Sequence, residues 1–352
     1  MYATDISLLS QRPEGPKPRK GDQPMRSDRR RVLTCLSAAA ALMPLRAQAQ
    51  SAWTPQRPIR LVLGYGAGGA TDATARIIGR HLQALLGQPV INEYKPGAGA
   101  SIGAEFVAHA PADGYTIGLT DTGPMVIIPQ LRKVGYDPVK DFTPLSYICA
   151  TGLALIVHPS VAANGVGELI GLLKSAPGRY SYASSGIGSV HHLAGELFKS
   201  RAGVQADHVP YRGAGQALTD LVGGQVLLMM ASIGPALPMI GSGKVRALAV
   251  TTAGRSGVLP EVPTLAEQGL AGYDAALSFT MVAPARLPAA VAARYQAELR
   301  KIVANPAVAK ELEKLGYDDI RPRTPAEVGE LTRDEFRKWG AVIRDAGITQ
   351  ES

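Results

Sequence analysis

The order of residues in this chain predicts an α/β fold, on three observations. Beyond residue 55, short apolar runs rich in β-branched residues alternate with longer stretches whose apolar residues recur at helical spacing. Small residues, glycine above all, punctuate the joins. Hydrophobic residues make up 46% of the chain and charged ones 19%, with 39 Gly and 26 Pro, which excludes a disordered chain, a coiled coil and a cysteine-stapled mini-protein. At 352 residues there is length for two domains.

The first strand is Ile59 to Leu63, five residues with no polar break except Arg60. A helix follows over Ala70 to Leu86, with Ala73, Ile77, Ile78, Leu82 and Leu85 on the inward stripe. Pro89 to Asn92 is the next strand, Ser101 to His109 the next helix, and Tyr115 to Leu119 a third strand. Leu145 to Ile148 and Leu153 to Val157 read as two separate strands, before a helix over Val166 to Ser175. Strand Tyr180 to Ser184, helix Ser189 to Ala202, strand Asp207 to Val209 and helix Ala214 to Val222 repeat the alternation. Strands Gln225 to Met230 and Val245 to Val250 complete it, and from Pro288 onward the pattern is helical, with Pro306 and Pro325 at helix starts and the last helix reaching about Arg344.

The net charge of +8 raises the question of a polyanion partner. Five of those charges lie in residues 1–49, where nine basic side chains face four acidic ones, and the remainder of the chain shows no basic cluster. Nucleic acid is therefore not an expected partner. Residues 25–49 have instead the three parts of a cleaved export signal: a basic stretch to Arg31, an apolar run from Val32 to Leu45, and Ala47-Gln48-Ala49 as the cleavage site. Arg29-Arg30-Arg31 suits a twin-arginine signal and a general secretory one alike, and either places the mature chain in the periplasm. Residues 1–24, polar and proline-rich before Met25, read as an over-long start without structure. Removal of Cys35 with the signal leaves Cys149 alone, a buried small hydrophobe that can form no internal disulfide.

The chemistry is carried by loops. Gly64-Tyr65-Gly66-Ala67-Gly68-Gly69-Ala70-Thr71-Asp72 joins the first strand to the first helix, and exposes backbone N–H groups at a helix N-terminus, an anion site. Gly64, Gly66 and Gly69 also satisfy the dinucleotide fingerprint, with Glu93 placed to hold a ribose. The bland alternative is a tight turn with Thr71 or Asp72 as helix cap. Two further loops use the same device: Lys95 to Ser101, and Ala183-Ser184-Ser185-Gly186-Ile187-Gly188-Ser189. One such loop serves a dinucleotide, whereas several at the ends of different strands suit a cleft that grips a small anion. His191 and His192 lack the elbow of a serine hydrolase, and adjacent helix positions do not converge on a metal.

Several segments together resemble the Bug family, the periplasmic receptors of tripartite tricarboxylate transporters. They are Pro58 to Leu63 with Gly68-Gly69-Ala70-Thr71-Asp72, Asn92-Glu93-Tyr94-Lys95-Pro96-Gly97, Asp113-Gly114-Tyr115-Thr116 and Tyr136-Asp137-Pro138. Tyr182-Ala183-Ser184, Leu193 to Phe198, Val209-Pro210-Tyr211-Arg212-Gly213, Gly243 to Val250 and Leu259-Pro260-Glu261-Val262-Pro263-Thr264 extend the resemblance over residues 53–350. It implies a two-lobed periplasmic binding protein type II fold, with mixed central sheets flanked by helices and a hinged cleft. Lobe one would comprise residues 50–151 and 277–352, and lobe two residues 152–276, with crossings near Ala150 to Gly152 and Leu277 to Thr280.

The resemblance further implies a monomeric, non-enzymatic receptor without cofactor or metal, which captures a small organic carboxylate and delivers it to membrane permease subunits. Carried over by position, the ligand-binding residues are Gly69, Ala70, Thr71 and Asp72 in the first loop and Ser184, Ser185, Gly188, Ser189 and His191 in the second. Departures from the family pattern add Asp121 and Thr122, where relatives often carry Thr-Gly-Thr-His, while Ala231-Ser232 replaces a family acid. Whether the ligand carries an amino group stays open. An exported oxidoreductase that uses the Gly64 to Gly69 loop for a dinucleotide remains the alternative.

Overall fold

A computed structural model describes residues 53–349; the expected export signal, its expected cleavage site and the expected over-long start lie outside the described residues. Strand β1 (Ile59–Leu63) lies between β2 (Val90–Tyr94) and β3 (Thr116–Asp121), parallel to both. Such a strand is covered on both faces, which is why it reads as a continuous apolar run. Helix α1 (Ala70–Leu86) covers it with Ile78, Leu82 and Leu86 buried, and ends at Gly87 in the left-handed conformation. The apolar stripe is turned by one residue from the expected one: Leu85 is exposed and Leu86 takes its place. Helix α2 (Ser101–Ala108) follows a single 3₁₀ turn at Ala98–Ala100.

Two segments unmarked in the sequence come next. Gly123–Ile127 forms a π-helical turn that runs into the short helix α3 (Ile128–Leu131), where Pro124 and Pro129 mask the helical pattern. The two strands expected between Leu145 and Val157 are one 16-residue strand, β4 (Phe142–Val157). Gly152, which suggested a break, lies within it because the neighbour's Thr252 leaves no room for a side chain: a methyl group there would fall 2.7 Å from Thr252 Cγ2.

The remaining elements are α4 (Val166–Ser175), β5 (Ser181–Ser184), α5 (Val190–Ala202), β6 (Asp207–Pro210), α6 (Ala214–Val222) and β7 (Leu228–Ser232). They are followed by α7 (Ile233–Gly241), β8 (Arg246–Val250), β9 (Ala276–Pro284), α8 (Ala289–Val303), α9 (Pro306–Glu313), the two-residue β10 (Tyr317–Asp318) and α10 (Pro325–Asp345). Helix α7 escaped the sequence reading because Pro235 and Pro238 punctuate it.

Strand order is β2-β1-β3-β9-β4-β7-β5-β6, with β8 and β10 also paired to β4. Up to Gly152, β4 pairs antiparallel with β9; from Leu153 onward it pairs with β7 and β8. One strand thus belongs to two mixed groups, and each group holds parallel strands whose carboxyl ends carry a glycine-rich loop. Cys149 is fully buried in β4, and burial pushes its thiol far above the ordinary value, so it is inert at neutral pH. No described helix is long and apolar enough to cross a membrane.

Candidate ligand site between two glycine-rich loops

Gly69 is the N-cap of α1 and offers no side chain to cap it. Neither Thr71 nor Asp72 takes that place; Asp72 instead reaches back from the first turn and accepts the Gly68 N–H at 3.0 Å. Its other partners are the Tyr94 hydroxyl at 2.7 Å and Arg76 Nε at 3.1 Å. Burial raises the pKa of Asp72, but the Gly68 N–H, Tyr94 and Arg76 outweigh it and hold the carboxyl below its ordinary range. Oδ2 thus braces the loop while Oδ1 ties α1 to the end of β2. Thr71 and Ala70 are buried beside it, and the Thr71 hydroxyl lies 3.5 Å from Asp121 Oδ2.

Asp121 ends β3. Its Oδ1 accepts the Gly123 N–H at 2.9 Å and the Tyr65 hydroxyl at 3.3 Å. Burial pushes its pKa up to about 6, against the opposing pull of the Gly123, Tyr65 and Thr71 donors. Tyr65 is likewise driven well above its ordinary value by burial and by the Asp121 charge. Thr122 sits apart from this cluster. Its hydroxyl meets the Ser278 hydroxyl and accepts the Ser278 N–H, both at 3.1 Å, where β3 and β9 lie side by side.

In the second loop Ser189 caps α5, its hydroxyl accepting the His192 N–H at 3.2 Å. Ser184 turns into its own loop, accepting the Gly186 N–H at 3.0 Å and meeting His208 Nε2 at 2.6 Å. Ser185 meets His191 Nδ1 at 2.8 Å, and His191 Nε2 meets the Ser232 hydroxyl at 2.9 Å. Burial pulls His191 down to about 4, so at neutral pH the ring is uncharged and carries one proton. One ring nitrogen then donates and the other accepts. His192, also buried, stacks on His208 with ring centroids 4.1 Å apart.

The two loops meet. Gly66 N–H donates to the Arg212 carbonyl at 3.2 Å, and a methyl group at Gly215 would fall 2.4 Å from the Ala67 carbonyl oxygen. Gly68 reaches this approach with φ at +84°, a conformation that glycine adopts without strain. A methyl group at Gly123 would meet the Tyr65 hydroxyl at 2.8 Å, Asp121 Oδ1 at 3.1 Å and the Gly188 carbonyl at 3.5 Å, so Asp121 and Gly188 face one another across that point. Thr71, Asp121 and Gly188 are thus brought to one point, while Gly69 lies against Ala214 at the start of α6, Ser185 and His191 pair with each other within the second loop and its helix, and Thr122 lies to one side at the strand crossing.

Sequence reasoning missed Tyr65, Ser232 and Gly215. Tyr65 was legible as the sole aromatic of the first loop. Ser232 was not, because it lies 41 residues from the His191 it contacts. Glu93, the candidate ribose acid, is engaged by Arg60 at 2.7 Å and Lys95 at 2.9 Å, which with Lys95 foremost hold its carboxyl below the ordinary range. Its place is structural, and the dinucleotide alternative loses its second element. Among the described residues no group of three metal-ligating side chains converges.

A family model described as tripartite tricarboxylate transporter family receptor matches residues 74–348. The chain is similar to the periplasmic binding protein BugD, at 32% identity over 84% of this chain and 99% of that one, with a TM-score of 0.81. It is equally similar to Rpa4515 of R. palustris, solved with adipate, at 33% identity, the same coverage and a TM-score of 0.81. MatC of Rhodopseudomonas palustris, solved with malate, matches at 32% identity over 82% of this chain and 99% of that one, with a TM-score of 0.78. The oxidoreductase alternative falls with these matches, and the chain belongs to the tripartite tricarboxylate transporter receptor family of periplasmic solute-binding receptors, which are not enzymes.

Proposed function

We propose that the protein binds a small organic carboxylate between its two lobes and delivers it to membrane permease subunits. Lobe one comprises residues 50–151 and 277–352, lobe two residues 152–276, and β4 and β9 carry the hinge. The observation that carries the reading is that two glycine-rich helix starts converge on the turn at Asp121 and Gly123: the β1 loop and α1 through Tyr65 and Thr71, and the β5 loop through the Gly188 carbonyl. A helix N-terminus stabilises an anion by about 0.3 to 2 kcal/mol, and each hydrogen bond to a carboxylate adds about 1.5 to 3. Four or five such contacts reach micromolar affinity, near −8 kcal/mol, after the cost of association. In this reading backbone N–H groups of Gly69 to Asp72 hold one side of the carboxylate, and Ser185, Gly188 and Ser189 the other. His191, uncharged, donates its Nδ1–H hydrogen bond to the Ser185 oxygen so that the serine hydroxyl proton points at the anion. The solved relatives bound to adipate and malate support this ligand chemistry.

The test is a thermal-shift panel on protein unfolded and refolded to strip carried-over ligand, against aliphatic mono-, di- and tricarboxylates, aromatic acids, NAD and FAD. A rise in melting temperature with one carboxylate class supports the reading, by the linkage of binding to stability. A panel in which no carboxylate raises it removes the reading.

A further inference from the structure

Asp121 is an anion in a site assembled to hold an anion. It is 6% exposed, and among the described residues no lysine, arginine or histidine forms an ion pair with it. The groups facing it are Tyr65 from the first loop, Thr71 from α1, the Gly123 N–H from the π-helical turn and, farther off, the Tyr136 hydroxyl; from β9 it faces the apolar Phe279. None supplies positive charge. The turn at Gly123 does not require a carboxylate, because its N–H bonds Oδ1, which an asparagine would offer equally. What only aspartate adds is Oδ2, whose one hydrogen-bond partner is the Thr71 hydroxyl at a stretched 3.5 Å. That oxygen therefore keeps acceptor capacity, next to the loop that holds the ligand carboxylate and beside a narrow hollow lined by Gly64, Tyr65, Ala100 and Pro124. A second, uncompensated anion so close in a desolvated site is repelled.

We infer that the ligand carries an ammonium group as well as its carboxylate, and that Asp121 is the residue that selects it. This rests on the receptor reading above. An α-amino acid presents both charges on one carbon, so its carboxylate faces the Gly69 to Asp72 N–H groups while its ammonium faces Oδ2. His191, uncharged at neutral pH, does not repel that cation.

The experiment is isothermal titration of refolded wild-type protein and Asp121→Asn at pH 7.5 and 6.0. The probes are matched acids with and without the amino group: aspartate and succinate, glutamate and glutarate, alanine and propionate, phenylalanine and phenylpropionate. Wild type is expected to bind the amino member of at least one pair about tenfold tighter or more, the scale of one charge-assisted hydrogen bond. Asn keeps the Oδ1 acceptor and places an N–H₂ donor where Oδ2 was, so the variant should lose that preference and gain affinity for the matched acid without the amino group. Wild type that prefers the acid without the amino group, whether or not its affinity rises at pH 6.0 through a proton taken up in place of ammonium, overturns the inference and leaves the receptor reading standing. An Asp121→Asn protein that keeps the amino preference overturns it as well. If that variant fails to fold, Asp121→Ser repeats the comparison, and the wild-type pairs decide alone. Silence from all pairs and from other carboxylates removes the receptor reading and this inference together.

Discussion

His191 and Asp121 are buried titratable groups of the candidate site, and burial shifts them in opposite senses with respect to stability. The His191 pKa falls from 6.5 to about 4, so the folded state resists protonation. Its contribution is complete above pH 6.5 and is lost as pH falls toward 4, an order-of-magnitude loss of ~3 kcal/mol. The Asp121 pKa rises from 3.8 to about 6, so the folded state resists ionisation. Its carboxyl costs nothing below pH 4, and the penalty grows through pH 6 to a similar ~3 kcal/mol. Across pH 4 to 6 the two nearly cancel in the wild type. Asp121→Asn should therefore raise ligand-free stability at pH 8, show a gain that shrinks toward pH 4, and expose the His191 slope; urea melts across that range would measure it. His191→Asn should do the reverse, leaving a profile in which stability rises as pH falls from 6 to 4. A flat difference between either variant and wild type would show that the group does not titrate as its burial requires. The family resemblance made Asp121 and His191 candidate site residues, yet it could not place the hydroxyls around them, because Ser232 and Tyr65 reach them from other parts of the chain.

Elements bounded by a local signal were legible to the residue. Helices α1, α4 and α6 begin and end where the sequence places them, α1 closed by Gly87 in the left-handed conformation. Elements defined by their partners were not. Strand β4 looks like two strands because its apolar runs flank Thr151-Gly152, and only pairing with β9 on one side and β7 on the other makes it one. Strand β9 was visible only as an expected crossing near Leu277 to Thr280, since its nine residues gain their meaning from β3 and β4. The loop before α6 gives the prediction that belongs to this scale. Because a methyl group at Gly215 falls 2.4 Å from the Ala67 carbonyl, Gly215→Val should wedge the first loop away from the start of α6 while α6 itself stays folded. Small-angle scattering should show a larger radius of gyration with an unchanged far-ultraviolet spectrum. An unchanged radius would mean that the loops close without this contact.

For the whole molecule, the alternation of strands and helices announced α/β architecture, whereas the two-lobed arrangement came from the family resemblance. No linker, composition shift or charge run marks a division, and the reason is structural: the proposed division passes through β4, a single unbroken strand. That continuity has a thermodynamic consequence. Chains of this length often unfold in steps, domain by domain, with populated intermediates. Here neither strand group can unfold without stripping β4 of half its partners, and one apolar core runs through both, from Ile59, Leu61 and Ile117 to Leu155, Leu169 and Leu193. Unfolding of one group would expose that shared core in the other, a cost that scales with the apolar area uncovered. Ligand-free protein should therefore melt in one calorimetric transition whose measured enthalpy equals the van't Hoff enthalpy. Two resolved transitions, or a calorimetric enthalpy well above the van't Hoff value, would show that the second group, with its shorter strands β5 and β6, opens while the first persists. In that case the β4 crossing would be a flexible joint and not a cooperative one.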